Sequence, residues 1–298
     1  MSDNGDPNPD PSAPLAMASE PSQSFRADGY DYDHEVLVTL PPSYSVSPDR
    51  FYPVIWAMDG VMMHTLVAGI VNIYNLGQRL PEMIFVSVGH RSEEGVAGVM
   101  KREFDLHPAG SLVGDDRLAE ATLAARQGGA DLTEMSSRFK GDKFLDFLID
   151  QLRPALTEKY RMKDDHALMG HSSGGYFTGF AMFARPGGFS RYLIGSGCHP
   201  QTLALEAQYA ESHDDLTARV FVGAGSDEVN NLDMAASRIV SRTVYFAENL
   251  RMRQYPSLSL KSHIYTDRDH FTVVPPMFAD GLTYIFADEA DKLEAVLS

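Results

Sequence analysis

Hydrophobic positions along the chain fall into short apolar runs separated by longer stretches of helical spacing. His34–Leu40 (His-Glu-Val-Leu-Val-Thr-Leu) alternates with period two and stops at Pro41-Pro42, the pattern of a strand. Tyr52–Met58 is continuously apolar and ends in Asp59-Gly60, and residues 83–88, 166–169, Arg191–Gly195 and 219–224 repeat the theme. Runs of this length bounded by turn residues predict strands buried on both faces. A last strand is expected near 257–265. Residues 142–160 place Phe144, Leu145, Phe147, Leu148, Leu152 and Leu156 at three- and four-residue spacing, which predicts an amphipathic helix kinked at Pro154. Further helices are expected over 176–184, 201–212, about 228–252 and from about 276. Strands and helices in alternation predict a mostly parallel central sheet flanked by helices on both faces, in one domain spanning 25–298. Residues 1–24, rich in Pro, Ser, Asp and Asn, are expected to form a disordered tail outside the fold. The uneven stretch 89–140 is expected to be a lid or an insertion packed over a site.

The junction between the run 166–169 and the helix after it reads Gly170-His171-Ser172-Ser173-Gly174. A serine in this Gly-x-Ser-x-Gly pattern, between strand and helix, is lifted onto a tight turn with a helix N-terminus behind it. Such a hydroxyl needs a base to take its proton and an acid to orient the base. Candidates follow in the order expected of that architecture, each after a later strand. Gly225-Ser226-Asp227-Glu228 supplies the acid, with Glu228 favoured and Asp227 as the alternative, and His270 in the loop before the last helix supplies the base. His171, beside the serine, is read as a packing residue. Amide donors for an oxyanion are expected from Ser173 N–H and from the turn after an earlier strand, at Val61 N–H.

Composition changes this picture little. The 298 residues carry a net charge of −16, which disfavours nucleic acid and anionic membrane surfaces as partners. The single cysteine, Cys198, permits no internal disulfide and is read as a small buried residue. No apolar run reaches the ~18–20 residues of a membrane span, and the N-terminus lacks the basic and apolar regions of a signal peptide. A cytoplasmic location is the resulting expectation. His64, His90 and His199 fall near strand ends without ligand-like spacing, so no metal and no cofactor are expected. Arg102 is a candidate substrate clamp for a carboxylate or phenolate, with pairing to Asp105 as the alternative. Met62, Met63 and Phe271 are candidates for lining an apolar acyl or aryl pocket.

Taken together, the segment from Tyr52 to Gly60, Arg102-Glu103-Phe104-Asp105, the helix from Phe144 to Pro154, Gly170 to Gly175 and Gly225 to Glu228 resemble the putative-esterase family of α/β-hydrolases. That group includes enterochelin and other siderophore esterases, S-formylglutathione hydrolase, feruloyl esterases and mycolyltransferases. The resemblance covers about residues 26–290. It implies an α/β-hydrolase fold, with Ser172 as nucleophile, His270 as base, Glu228 as acid, and Val61 and Ser173 as oxyanion donors. Many relatives carry Ser-Pro-Ser where this chain has Gly195-Ser196-Gly197-Cys198. The expected activity is cleavage of a small-molecule carboxylic ester through an acyl-serine. Acyl transfer to an alcohol and non-catalytic binding on the same fold are the alternatives.

Overall fold

The computed structural model describes residues 14–110, 137–231, 234–235 and 237–289. Nine strands among them form one sheet. They are β1 (Ala18–Ser19), β2 (Gln23–Phe25), β3 (His34–Leu40), β4 (Tyr52–Met58), β5 (Ile84–Gly89), β6 (Met162–His171), β7 (Arg191–Gly195), β8 (Ala218–Gly225) and β9 (Leu258–Tyr265). The order is β1-β3-β5-β4-β6-β7-β8-β9, with β2 also on β3. From β5 through β4 to β9 neighbours run parallel, whereas β3 is antiparallel to β5, β1 and β2. Ala18–Ser19 and Gln23–Phe25 thus lie in the sheet rather than in a detached tail, and Met17 N–H donates to Asn72 Oδ1 at 3.0 Å. Backbone pairing on an open edge needs no apolar pattern, so these short polar strands left none in the sequence. Residues 1–13 lie outside the described residues.

Side-chain alternation along the strands divides the interior into two layers. Val54, Trp56 and Met58 of β4 face one core with Leu168, Tyr192 and Val220. Ile55 and Ala57 face the other with Phe85, Ala167, Leu193 and Phe221. Helices α1 (Gly60–Leu76) and α8 (Val274–Ile285) cover the second layer through Val67, Val71, Met277 and Leu282. The first is covered by α3 (Gly141–Asp146), α4 (Arg153–Lys159), α5 (Ser173–Ala184) and α7 (Ile239–Arg253), through Phe144, Leu156, Phe177 and Phe246. Each of these fully buried side chains contributes about 1.5–3 kcal/mol of transfer free energy. The remaining helices are α2 (Val96–Leu106) and α6 (Pro200–Ala210).

Two helical expectations differ in detail. Residues 142–160 are helical, but a π-helical stretch, Phe147–Leu152, joins α3 to α4 ahead of Pro154. Proline lacks an N–H and crowds the carbonyl four residues back, and a wider turn before it relieves both. In the stretch 228–252 expected to be one helix, the long helix runs Ile239–Arg253. Ser226–Asn230 is instead a tight 3-10 turn with Glu228 buried inside it. Within 89–140, α2 packs beside α5 and α3, and residues 111–136 lie outside the described residues.

Candidate active site

Ser172, Ser173, Val61, Asp227, Glu228 and His270 lie at or beyond the C-terminal ends of parallel strands or in the first turn of the element that follows, where open α/β sheets gather their sites, whereas Arg102 lies on α2. Ser172 follows β6 directly and stands at φ 59°, ψ −123°, a conformation costly for a residue with a side chain. Its amide donates to Gly195 O at 2.9 Å and its carbonyl accepts from Tyr176 N–H at 2.8 Å, so neighbours hold the turn. A Cβ at Gly170 would come 2.3 Å from the Gly174 backbone, and one at Gly174 would come 2.9 Å from Asp59 Oδ2. Backbone contact thus demands glycine at 170, and a side chain at 174 would displace the Asp59 carboxylate.

His270, in the turn between β9 and α8, is buried. Its Nδ1 donates to Glu228 Oε2 at 2.8 Å. The other oxygen of Glu228 accepts from Ser196 Oγ–H at 2.7 Å and from the amide of Gly225 at 2.7 Å. Glu228 thus accepts from three donors and is almost wholly buried. Asp227, the alternative, accepts from Ser226 Oγ–H at 2.9 Å. The tight turn puts Glu228, not Asp227, on the inner side. Ser196, at φ 45° in the loop after β7, escaped the sequence reading. Its one visible signal is its place at a strand's C-terminal end.

His171 is buried, and its ring lies against that of His270 with centroids 4.4 Å apart. Neither of its ring nitrogens has a hydrogen-bond partner among the described residues. Burial, and then the adjacent His270, pull its imidazole down to about 3, so it is a neutral packing surface for His270. Cys198 is also buried, and burial pushes its thiol up to about 12, far from a reactive thiolate.

The amide candidates belong to the first turns of two helices. Val61 lies in the opening turn of α1 and Ser173 opens α5. Leading helical amides have no partner within their own helix and carry the positive end of its dipole. Asp59, the residue before α1, is left-handed (φ 66°, ψ 41°), and its carboxylate does not cap the helix. It pairs instead with Arg102, whose Nε donates to Oδ1 and whose Nη2 donates to Oδ2 at 3.0 Å. Nη1 of Arg102 donates to Glu103, and Glu103 Oε2 accepts from Ser173 Oγ–H at 3.0 Å. Pairing of Arg102 with Asp105 is not what forms.

Asp105 has partners of its own. Tyr32 Oη–H donates to Oδ1 at 2.6 Å. His34 Nε2 and His90 Nε2 contact Oδ2 at 3.0 and 2.8 Å. Burial raises the Asp105 carboxyl, but the hydrogen bonds from His34 and His90 outweigh it and hold the group below its usual range. The ligand-type atoms of His34, His90 and Asp105 lie within 4.8 Å of one another. Both imidazoles leave Nδ1 buried and without a hydrogen-bond partner among the described residues. A metal on the Nε2 atoms would strand an Nδ1–H without the acceptor that metal-bound histidines require, so the donor set fits hydrogen bonding to a carboxylate better than coordination.

His64 is also engaged, with Nδ1 at 2.8 Å from Ser87 Oγ and Nε2 at 3.0 Å from Thr39 Oγ1. Met62 and Phe271 are exposed beside Val61 and His270 in sequence. No described helix is long and apolar enough to cross a membrane.

A mixed sheet with helices on both faces and a strained serine at a strand–helix turn define an α/β-hydrolase. The chain belongs to the family described as Putative esterase, whose model matches residues 114–266. That match includes Ser172 and Glu228 and stops short of His270. The uncharacterized protein YbbA of Bacillus subtilis (strain 168) is 24% identical over 219 residues, 72% of this chain and 77% of YbbA. The siderophore triacetylfusarinine C esterase of Aspergillus fumigatus is 30% identical over 115 residues, 38% of this chain and 32% of that enzyme. Among solved structures, siderophore hydrolase EstA from Aspergillus nidulans superposes with a TM-score of 0.73 at 19% identity, covering 91% of this chain and 94% of EstA. Family membership supports ester hydrolysis as the general activity.

Proposed function

We propose that the protein is a serine esterase that cleaves a small-molecule carboxylic ester through an acyl-serine intermediate. The observation that carries this reading is the His270 Nδ1–Glu228 Oε2 hydrogen bond at 2.8 Å, beside a serine in the strained elbow conformation. With Nδ1–H committed to Glu228, the lone pair of Nε2 is left to accept a proton, the tautomer a general base requires. Ser172 Oγ attacks the ester carbonyl as His270 takes its proton. The tetrahedral oxyanion is met by the amides of Val61 and Ser173. Collapse expels the alcohol, protonated by His270, and water then repeats the sequence to release the acid. No metal or organic cofactor enters these steps.

The substrate class is proposed from the relatives. Two of them are named for siderophore hydrolysis, which makes ester-linked siderophores the first substrates to assay. No sequence feature separates hydrolysis from acyl transfer, since both share the acyl-serine. A cytoplasmic site of action remains part of the proposal.

The test is hydrolysis of p-nitrophenyl acyl esters and of ester-linked siderophores by the wild-type chain and by Ser172→Ala. Loss of turnover in a variant with an unchanged circular dichroism spectrum supports the reading. Undiminished turnover in Ser172→Ala overturns it.

A further inference from the structure

The two amide donors proposed for the oxyanion belong to separate loops, one after β4 and one after β6, which the parallel pairing of these strands brings side by side. One side chain joins them. Arg102 grips the carboxylate of Asp59, the residue that turns the chain into Gly60 and Val61. The same guanidinium holds Glu103, which takes the hydroxyl hydrogen of Ser173. We infer that Arg102 is a positioning residue that sets the distance between the two halves of the oxyanion hole, through the path Val61–Asp59–Arg102–Glu103–Ser173. The inference rests on the esterase reading above.

Four further observations support it. The left-handed conformation of Asp59, which aspartate reaches occasionally as a single residue, is fixed by the grip on its carboxylate. The grip is tight, because Arg102 and Glu103 side chains are only 17% and 15% exposed and that of Asp59 1%. Asp59 Oδ2 also lies where a Cβ on Gly174 would approach to 2.9 Å, so the paired carboxylate rests directly on the first turn of α5. Finally, the helix that carries Arg102 is itself anchored. Asp105, one turn further along α2, is bonded to Tyr32, His34 and His90, which come from the segment before β3, from β3 itself and from the residue after β5.

Charge alone gives Arg102 no such role. One guanidinium between two carboxylates leaves the cluster anionic, which offers nothing to an oxyanion or to an anionic substrate. Burial works to raise the Glu103 carboxyl, but Arg102, His107 and Ser173 together hold it below the usual range. What the cluster supplies is geometry. A planar fork that bridges two carboxylates cannot be replaced by the point charge of lysine.

The test compares kcat and KM for the same p-nitrophenyl ester in wild type, Arg102→Gln, Arg102→Lys and Glu103→Gln. A positioning role predicts that Arg102→Gln lowers kcat about 10–100-fold with KM within about twofold, since oxyanion contacts act in the transition state. Arg102→Lys should recover little of this. Glu103→Gln, which turns the charge-assisted bonds to Arg102 and Ser173 into neutral ones, should lower kcat about 3–10-fold, roughly the difference between a charge-assisted and a neutral hydrogen bond. An unchanged kcat in a folded Arg102→Gln chain overturns the inference. So does a raised KM at unchanged kcat, which would make Arg102 a substrate ligand. Should Arg102→Gln fail to fold, Glu103→Gln decides, and an unchanged kcat there overturns the inference. An inactive wild type would sink the esterase reading with it, whereas an active wild type matched by the variants sinks the positioning role alone.

Discussion

His270 and Glu228, 42 residues apart in the chain, meet through one hydrogen bond of 2.8 Å. The other oxygen of Glu228 is occupied by Ser196 and by the Gly225 amide. The carboxylate is thus aimed by its surroundings, and it in turn aims the imidazole.

The first consequence separates two adjacent acids. Glu228→Gln should lower kcat by a factor on the order of 10³–10⁴, because an amide at this place favours the wrong imidazole tautomer. Asp227→Asn should stay within about twofold, since a carboxylate bonded to a neighbouring hydroxyl is easily replaced by an amide. Steady-state kinetics on one chromogenic ester distinguishes the two, and the opposite ranking would transfer the acid's role to Asp227.

Ser196 gives a milder effect. Ser196→Ala removes one of three donors to Glu228, and a hydrogen bond to a charged group is worth about 1.5–3 kcal/mol. With Gly225 still in place, kcat/KM should fall about tenfold. A variant as active as wild type would show that the Gly225 amide alone fixes the carboxylate.

Asp105 should matter for stability. Asp105→Ala leaves the donors on Tyr32, His34 and His90 buried without an acceptor, each costing about 1–3 kcal/mol. The expected outcome is a loss of several kcal/mol in urea unfolding. A midpoint unchanged from wild type would mean that solvent replaces the carboxylate there.

Stability should also depend on pH in a definite direction. Burial holds the imidazoles of His166, His171 and His199 at about 3 in the folded chain, with Arg153, His270 and His107 respectively adding to the effect. An unfolded histidine titrates near 6.5. Between about 6.5 and 3 the unfolded state therefore binds more protons, and stability falls as pH falls. Each such histidine contributes up to about 1.4 kcal/mol per pH unit within that window. Urea midpoints measured from pH 7 to 4.5 should decline, and less steeply in His171→Phe. Parallel slopes for the two chains would contradict burial of a neutral His171.

How much of this could be read from the chain depends on where the determinants lie. The elbow was legible because its constraints are local: Gly170 and Gly174 lie against the backbone of the same turn and against Asp59. The central strands were legible because burial on both faces leaves unbroken apolar runs. Glu228 against Asp227 was ambiguous by one residue, and only the tight turn Ser226–Asn230 decides which faces inward. That same turn is why the helix expected from 228 does not begin there. The partners of Arg102 and Asp105 were hidden for a different reason. Tyr32 and His34 stand just before and at the start of β3, but nothing in that stretch says that an aspartate in a helix after β5 will meet them. Tertiary packing alone makes that pairing.

The central claim is that Ser172 is the nucleophile, and the most direct measurement is covalent labelling. The wild-type chain is incubated with a fluorophosphonate and digested, and the modified peptide is located by mass spectrometry. The account predicts one phosphonyl group on Ser172, with labelling abolished in Ser172→Ala and strongly slowed in His270→Ala. A folded wild-type chain that takes up no label, or takes it up at another residue, would contradict it.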